Sequence, residues 1–565
     1  MYTGRGVSAS NTTNLCESTM HLPANASENL QFFTAEVRTQ CLTLRSAIDR
    51  GDTSRIRRIV ERSGYAANLK QRIQSGCLTA LSGVQDDKIA SLRLATVADI
   101  AHQLERITDK FRDLSRQYLA IDTRAEISLR GFRPPLARLH TGLDGLADEL
   151  PPNSGERAMS LAACAQRIDK QARKLHEGFV DELKAHPKQA ADLSRCVLMA
   201  HALHQAGEAV ARISEHLLSL QLGQSMSFDR FQSLQAMIDR YPELAGAAVS
   251  NLAETRSGSA ISGLTPSHQH QPAAVFKDGL RQKLKEERKG VESWHELYPG
   301  LAPKILAYRK RGESAALLIE HLPGFTIEQL LLREPEALCE DGTKALFKTL
   351  QDVWRATRSN TPISAQFMTQ ILERLPNIQA VHNDLFSDTL RIGRYRQRPF
   401  EQLVKRAGKL ERALPSPFSV YIHGDFNVDN VIYDPDSGRI HFIDLHRSRY
   451  MDYLQDVSVF MVSCCRLPIR DPDISERAQS VILAMDRAAR RFARQQDDDH
   501  YDVRLALGLA RSLTTSIRFM ADRHQARRFV ERARWLLERV LDTPSQRVTD
   551  FKLPLKELFR DIHSA

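Results

Sequence analysis

The chain lacks two features that would place it outside the cytoplasm. No apolar run approaches the roughly 18 residues that a membrane span needs, and no basic segment followed by an apolar stretch stands at the start. We therefore expect a soluble, cytoplasmic protein without a cleaved secretory signal.

The eight cysteines show no CxxC or Cys/His spacing. This excludes the common zinc patterns and predicts reduced, buried thiols.

The charge balance leaves the class of partner open. Hydrophobic residues make up 42% of the chain and charged residues 26%, and the net charge of +10 comes largely from arginine. The arginine-rich stretches near the C-terminus are typical of solvated helix faces, but they also fit a surface for anionic partners. No nucleic-acid-binding motif accompanies them, so no nucleic-acid partner is expected.

The distribution of proline and glycine predicts several domains. Residues 29–241 contain few of either, and their apolar residues recur at three- and four-residue spacing, which predicts an all-α helical bundle. Residues 1–28 are predicted to be a disordered arm. Near Leu244 the composition shifts to glycine, serine, proline and short β-like runs. We therefore predict a second, α+β domain with a β-rich lobe at 242–323 and a mostly helical lobe at 324–565.

The stretch "HGDFNVDN" carries the strongest chemical signal. His423 and Asp425 precede Asn430, and Asp444 ends a second apolar strand after the turn "DPDSG". Such a hairpin brings Asn430 and Asp444 face to face. Phosphoryl transfer needs a carboxylate to accept the proton of the attacking hydroxyl and oxygen ligands for Mg²⁺. Asp425 is the predicted base, and Asn430 and Asp444 are the predicted metal ligands.

This pattern resembles that of the aminoglycoside phosphotransferase and choline kinase superfamily, whose fold is kinase-like. Its motif H-G-D-x-x-x-x-N, followed by a strand ending in I-D, is matched by residues 423–430 and 443–444. The resemblance implies that His423 braces the catalytic loop and that Asp456, in "YMDYLQD", does the same. One departure is "IDLHR", where the family often carries an aromatic residue and an acid after the aspartate. A second HxD triplet, at His382 and Asp384, lacks the rest of the array.

The upstream lobe contains candidates for binding the donor nucleotide. Lys277 in "AAVFK" is placed as the strand-borne lysine that holds the donor phosphates, with Glu287 as its first-choice partner and Glu292 as the second. "LLIEHLPG" resembles the hinge of the family, so backbone groups from Glu320 to Leu322 are expected to meet the adenine. The phosphate-covering loop is predicted at Ser257, Gly258 and Ser259, although these residues also fit a plain linker.

A second resemblance, over a shorter motif, lies in the helical bundle. The "LERITD" stretch resembles the LERIGD-type helix of PhoU-like phosphate-signalling proteins, and "GEAVARISEHLL" resembles its second copy. In that family an E-x-x-x-D pair can hold a metal ion, because residues four apart share a helix face. Glu105 and Asp109 keep this spacing, whereas the second copy reads His204 and Glu208. Solvated helix faces and a metal site both remain open.

Together these patterns predict a phosphotransferase that uses Mg²⁺ and moves the γ-phosphate of ATP or GTP to a hydroxyl of a small molecule. The helical domain is interpreted as a sensor or docking element, which leaves a protein partner open. The alternative is a regulatory protein whose inactive kinase fold binds nucleotide in phosphate or metal signalling. A protein kinase is disfavoured because the H-R-D and D-F-G motifs are absent.

Overall fold

The chain divides into two compact units. The computed structural model describes residues 23–83, 88–122, 124, 126–146, 154–222, 226–238, 240–241, 244, 247–254, 260–266, 269, 272–386 and 391–560. One unit comprises Met1–Leu252 with Leu264–His270, and the other comprises Ala253–Gly263 with Gln271–Ala565. Among the described residues, no helix is long and apolar enough to cross a membrane.

The first unit is a bundle of long helices, as the apolar spacing predicts. Its helices are α1 (Ala24–Arg50), α2 (Thr53–Glu61), α3 (Ser63–Leu81), α4 (Lys88–Ala120), α5 (Arg133–Gly142), α6 (Ser154–Ala185), α7 (Ala190–Leu222) and α8 (Phe228–Ile238).

Local signals in the sequence set several ends of these helices. The side chain of Asp52 accepts the Ser54 N–H at 3.0 Å and so caps α2. Two prolines open α5, where their missing N–H groups cost nothing. The arm predicted for 1–28 is too long, because α1 begins at Ala24. Ala26 is fully buried, so the apolar stripe of α1 starts inside the segment that was assigned to the arm.

A five-stranded sheet follows the helical bundle along the chain. The strands are β1 (Ala248–Glu254), β2 (Ala260–Thr265), β3 (Ala274–Leu280), β4 (Ile305–Arg311) and β5 (Ser314–Glu320). Their order is β1-β2-β3-β5-β4, and β5 pairs antiparallel with both β3 and β4. The helix α9 (Arg281–Leu297) connects β3 to β4 and buries Leu284 against the central strands.

The remainder of the chain is mostly helical, with short strands around the motif. The elements are β6 (Phe325–Thr326), α10 (Ile327–Leu332), α11 (Glu336–Ala356), α12 (Phe367–Gln379), β7 (Arg391–Ile392), β8 (Tyr395–Arg396), α13 (Phe400–Arg412), β9 (Val420–Ile422), β10 (Val431–Asp434), β11 (Arg439–Phe442), β12 (Arg449–Met451), α14 (Leu454–Cys465), α15 (Pro472–Gln495), α16 (Tyr501–Ser516), α17 (Arg523–Asp542) and α18 (Leu555–Leu558). The fold is therefore a helical bundle followed by a two-lobed, kinase-like α+β domain, as predicted.

A cluster of buried aromatic side chains packs beside the motif. Phe426 and Phe442 are almost fully buried, and their ring centroids lie 5.1 Å apart in an edge-to-face arrangement. Trp294 of α9 contacts Phe442 in the same geometry at 5.6 Å. Edge-to-face pairs add to the stabilisation that burial alone provides. The polar residues of the motif are thus supported by a closely packed aromatic cluster.

Candidate active site

The hairpin of β10 and β11 carries the two residues that were predicted to bind a metal ion. The strands pair antiparallel with Val431 opposite Phe442. Asn430 directly precedes β10, and Asp444 follows β11 by two positions. The Ile443 N–H donates to the Asn430 carbonyl at 3.0 Å, which closes the open end of the hairpin. The hairpin therefore brings Asn430 and Asp444 to the same end, as the spacing predicts.

The loop before this hairpin presents Asp425. Gly424 has a φ of +85°, and a Cβ there would lie 2.3 Å from the carbonyl oxygen of Arg447, so only glycine fits this turn. The Asn427 amide donates to Asp425 Oδ1 at 3.0 Å, and Arg447 Nη1 lies 3.2 Å from Oδ2. The Asn430 amide nitrogen donates to the Asp425 carbonyl at 2.9 Å. A hydrogen bond thus links Asp425, the candidate base, directly to Asn430, a candidate metal ligand.

His423 holds the loop from below. Its Nε2 donates to the Ile443 carbonyl at 2.9 Å, and its Nδ1 accepts the Asp425 N–H at 3.3 Å. Burial lowers the pKa of this imidazole, so the neutral ring can donate at one nitrogen and accept at the other. His423 therefore links the base loop to the strand that leads to the metal-ligand candidate.

Asp456 of α14 holds the same loop from its other side. Its two carboxylate oxygens accept the N–H groups of His423 and Gly424 at 2.7 and 2.9 Å. Burial raises the pKa of Asp456 to about 7, against the lowering effect of these two donors. Because both oxygens are already occupied by backbone donors, the geometry fits a bracing residue better than a reacting one.

The surroundings of Asp444 lower the pKa of its carboxyl, whereas those of Asp456 raise it. Its backbone lies in the left-handed region at a φ of +61°, which is costly for a residue with a side chain. Burial opposes ionisation, yet the contact with His446 Nδ1 at 3.3 Å and the charges of Lys277 and Lys283 hold the pKa of this carboxyl well below its usual range. A strained, ionised carboxylate among cations fits an ion-binding role.

The structure pairs Lys277 of β3 with Glu287 of α9. Both side chains are buried, and Lys277 Nζ donates to Glu287 Oε1. Burial alone would lower the pKa of Lys277, but the charges of Glu287 and Asp444 raise it. Of the two predicted partners, Glu292 instead pairs with Arg288 at 2.7 Å. The first-choice partner therefore makes the contact, and the lysine stays charged.

A close helix contact connects this ion pair to Asp444. Gly290 lies one turn after Glu287 on α9, and a Cβ at this position would lie 2.0 Å from the carbonyl oxygen of Leu445. Four residues later, Trp294 Nε1 donates to Ser448 Oγ at 2.8 Å. The helix that carries the lysine partner therefore packs directly on the chain that follows Asp444.

The predicted hinge is partly used by the sheet. The Glu320 N–H donates to the Lys304 carbonyl at 3.0 Å, and the His321 N–H donates to the Ala273 carbonyl at 3.1 Å. These two N–H groups are therefore engaged within the sheet. The expectation that backbone groups from Glu320 to Leu322 meet the adenine stays a prediction.

The predicted phosphate-covering loop lies between β1 and β2 in the chain. Ser257, Gly258 and Ser259 lie outside the described residues. The strands on either side, β1 and β2, end at Glu254 and begin at Ala260. The expectation for this loop stays a prediction.

The donor set of the hairpin fits Mg²⁺. Because the Asn430 amide nitrogen is bonded to the Asp425 carbonyl, the amide oxygen is the atom left for a cation. Asp444 adds an ionised carboxylate. Hard divalent cations prefer such carboxylate and amide oxygens and complete their shell with water and phosphate oxygens. A site built from one asparagine and one aspartate is therefore chemically consistent with magnesium.

Sequence reasoning missed two basic residues that contact the motif. Arg447 contacts Asp425, and Arg466 Nη2 donates to the Asn427 side chain at 2.6 Å, which orients the amide that holds Asp425. Arg447 could have been found from the sequence, because it belongs to the stretch "IDLHR", which departs from the family pattern directly after Asp444. At the second HxD triplet, His382 Nε2 lies 3.0 Å from two backbone carbonyls and Asp384 pairs with Arg523, which fits a structural role.

The candidate metal ligands of the helical bundle contact oppositely charged or imidazole side chains. Glu105 pairs with Lys70 at 2.7 Å, Asp109 pairs with Arg112, and His204 contacts Asp169 at 2.7 Å and Glu208 at 3.4 Å. Within the part of the chain that the structure describes, no group of three or more His, Cys, Asp or Glu side chains could hold a metal ion. The arrangement favours solvated helix faces over a metal cluster in this unit.

Comparison with known proteins gives one family match. Residues 275–505 match the phosphotransferase enzyme family, whereas no curated protein matches the chain significantly. Solved structures include an aminoglycoside-3'-phosphotransferase of type VIII at 18% identity and a TM-score of 0.36, covering 52% of this chain and 100% of that one. PhoU from Pseudomonas aeruginosa matches at 16% identity and a TM-score of 0.33, covering 35% of this chain and 96% of that one.

The family match agrees with the geometry of the matched region. It begins two residues before Lys277 and extends past the hairpin and Asp456. Residues 275–505 of this chain thus match the model of the phosphotransferase enzyme family, as the resemblance of the motif predicts.

Proposed function

We propose that the second unit transfers the γ-phosphoryl group of ATP or GTP to a hydroxyl group of a small molecule. Asp425 is the proposed base, Lys277 binds the donor phosphates, and Asn430 and Asp444 would hold Mg²⁺. His423 and Asp456 are proposed to brace the loop. The backbone from Glu320 to Leu322 and the loop at 257–259 are proposed to contact the nucleotide.

One observation carries this proposal: groups far apart in the chain meet in the combination that phosphoryl transfer needs. Lys277 and Glu287 form a buried pair, and the charge of Asp444 acts on Lys277. Asn430 is bonded to the backbone of Asp425. A regulatory protein that only binds nucleotide would use Lys277 and the metal ligands but would not need a base. The presence of Asp425 beside them therefore supports turnover over that alternative.

The residues divide the work of the reaction. Asp425 accepts the proton of the attacking hydroxyl, because its carboxylate is held at the loop surface by Asn427. Lys277, kept charged by Glu287, neutralises the donor phosphates. A bound Mg²⁺ would supply further charge neutralisation on the phosphate oxygens. The fixed loop contributes by positioning, since phosphoryl transfer depends mainly on alignment and electrostatic stabilisation.

The proposal is tested by thermal shift with ATP and GTP, each with and without Mg²⁺, on the wild type, Asp444→Ala and Asp425→Asn. A ligand present at a free concentration of 100 times its Kd adds about 2.7 kcal/mol to the free energy of unfolding. We expect the metal-dependent shift in the wild type and in Asp425→Asn, and its loss in Asp444→Ala. Phosphoryl transfer to an acceptor is expected only for the wild type.

Two outcomes would contradict the proposal. If neither nucleotide shifts the wild type, the second unit is not a phosphotransferase of this kind. If nucleotide binds but the Asp425→Asn variant and the wild type hydrolyse or transfer phosphate equally slowly, the regulatory alternative replaces the enzyme.

For the helical unit we propose a sensor or docking role that regulates phosphoryl transfer in the cytoplasm. The paired carboxylates favour a protein or phosphate partner over a metal ion. Deleting residues 29–241 should change how transfer responds to inorganic phosphate while nucleotide binding persists. Unchanged regulation would leave the bundle as a scaffold.

A further inference from the structure

Four arginines from four separate segments lie within electrostatic range of Asp425. Arg447 follows Asp444 by three residues and lies 3.2 Å from Asp425. The others are Arg374 of α12, Arg511 of α16 and Arg518 of the short helical turn 517–519. Burial lowers the pKa of each of these three guanidinium groups, and in every case the carboxylate of Asp425 opposes that shift. All four therefore act on the proposed base.

Arg511 is buried without the partners that a buried cation requires. It is only 4% exposed, and its Nε and Nη2 have no hydrogen-bond acceptor among the described residues. The Nε of Arg518 is likewise buried and unsatisfied. Burial lowers the pKa of Arg511 to about 9, and the charges of Arg374 and Arg447 add to this effect. An unpaired buried charge costs several kcal/mol, so an anion bound here would remove a real penalty.

The carboxylates that act electrostatically on Arg511 and Arg374 are engaged with other groups or exposed. Asp456 accepts two backbone N–H groups of the catalytic loop. Glu411 accepts the N–H groups of Phe367 and Met368, the latter at 3.0 Å. Asp425 is held by Asn427 and Arg447, and Glu373 is exposed to solvent. The cluster therefore keeps an excess of positive charge on the base side of the site.

The segments that carry these arginines are held in place by close packing. A Cβ on Gly508 of α16 would lie 3.1 Å from the ring of Phe367 at the start of α12. The guanidinium of Arg511 stacks over the same ring at 5.5 Å. His382 contacts the carbonyl oxygens of Ile517 and Met520, which fixes the turn that carries Arg518. The positive groups are thus preorganised, which lowers the entropy cost of binding.

We propose that the acceptor is an anion: a hydroxyl compound that also bears a phosphate or carboxylate group, which Arg374, Arg511 and Arg518 bind beside Asp425. This rests on the proposed function and specifies its substrate class. Guanidinium groups bind both kinds of oxyanion with paired hydrogen bonds. A polycationic acceptor is repelled by the same cluster.

The reaction that follows is balanced without a further reactant. The hydroxyl oxygen of the anionic acceptor forms a bond to the γ-phosphorus, and the bond from that phosphorus to the β–γ bridging oxygen breaks. The hydroxyl proton passes to Asp425, and the nucleoside diphosphate leaves with the bridging oxygen. The anionic group of the acceptor stays unchanged on the arginines.

The test measures anion binding to the full-length protein already saturated with Mg²⁺ and a non-hydrolysable nucleotide, so that the donor site is filled. Inorganic phosphate and glycerate are titrated separately at constant ionic strength, with chloride as the reference anion. Calorimetric titration compares the wild type, Arg374→Met, Arg511→Lys and the control Arg355→Met. Arg355 pairs with Asp352 on the exposed face of α11 and lies outside the cluster.

We expect one or both anions to bind the wild type and Arg355→Met alike, with affinity reduced about ten-fold or more in Arg374→Met, since each lost bond is charge-assisted. The Lys variant keeps the charge but loses the paired geometry, so Arg511→Lys should also weaken binding. Tighter binding of phosphate than of glycerate would identify a phosphorylated acceptor, and the reverse order a carboxylated one.

Three results would overturn this inference. The first is anion binding no tighter than that of chloride, and the second is equal affinity in the wild type and Arg374→Met. The third is preferential binding of a polycationic aminoglycoside in the same assay. If one of these results occurs while the protein still binds nucleotide in a Mg²⁺-dependent way, only the anionic acceptor is refuted. Failure of this inference is therefore distinguishable from failure of the proposed phosphotransfer function.

Discussion

At the scale of single residues, three aspartates differ in role because their surroundings differ. Asp425 is partly exposed and is contacted by Asn427 and Arg447. Asp444 is kept ionised by His446 and nearby lysines. Asp456 is fully enclosed and accepts two backbone N–H groups. The same side chain thus serves as base candidate, ion ligand candidate and brace.

The raised pKa of Asp456 predicts a specific pH dependence of stability. An unfolded aspartate ionises near pH 4, whereas burial moves the pKa of Asp456 to about 7 in the folded chain. Between these values the unfolded state releases its proton first. The contribution of Asp456 to the free energy of unfolding is therefore full below about pH 4 and is lost as the pH rises through about 7. Asp425 raises this pKa further and Arg511 lowers it.

Chemical denaturation at pH 5 and pH 7.5 checks this for the wild type and Asp456→Asn. The variant has no group that ionises at this position, so its deficit in unfolding free energy should be larger at pH 5 than at pH 7.5. An equal deficit at both pH values would show that Asp456 does not change its ionisation over this range.

At the scale of secondary-structure elements, the contact of α9 with the chain after β11 joins the two halves of the site. Gly290 permits it, because any larger residue would press on the Leu445 carbonyl. This contact places Glu287 and Asp444 in one rigid arrangement around Lys277.

Replacing Gly290 with alanine should push α9 away from Asp444. We expect a loss of about 1–3 kcal/mol in the free energy of unfolding, typical of overpacking, together with weaker Mg²⁺-dependent nucleotide binding. Thermal unfolding with and without nucleotide measures both. Gly178→Ala is the matched control, because Gly178 is also helical but has open space around it. That change should stabilise α6 by about 0.5–1 kcal/mol; a similar gain in Gly290→Ala would refute the contact.

At the scale of the whole molecule, the two units have separate hydrophobic cores. In the second unit, Arg504 pairs with both Asp452 and Asp498, and Tyr453 donates to Asp498 at 2.8 Å. All four side chains are buried. Separate cores predict separate unfolding transitions.

We expect two transitions in differential scanning calorimetry, of which only one shifts with Mg²⁺ and nucleotide. Arg504→Met should lower that same transition, because two carboxylates lose their buried partner at a cost of about 3–5 kcal/mol. Arg355→Met, at an exposed ion pair, should cost less than about 1 kcal/mol. A single transition, or a nucleotide shift in the transition that Arg504→Met leaves unchanged, would contradict this assignment.

The fold and the motif were largely predictable from the sequence because their signals are local. Apolar spacing indicated the bundle, and strand and turn composition indicated the β-rich lobe. The turn between two apolar strands predicted the hairpin that joins Asn430 to Asp444. The start of α1 at Ala24 was missed, since nothing in the local composition reveals which residue first becomes buried.

By itself the sequence determined which residues of the motif can meet, because the residues from His423 to Asp444 are neighbours in the chain and their spacing limits how they can be arranged. Only the tertiary structure decided which glutamate pairs with Lys277. It also decided that Arg374, Arg511 and Arg518 lie within electrostatic range of Asp425. These residues lie 51 or more positions away from Asp425 along the chain, so helix packing, rather than any local pattern, brings their charges together.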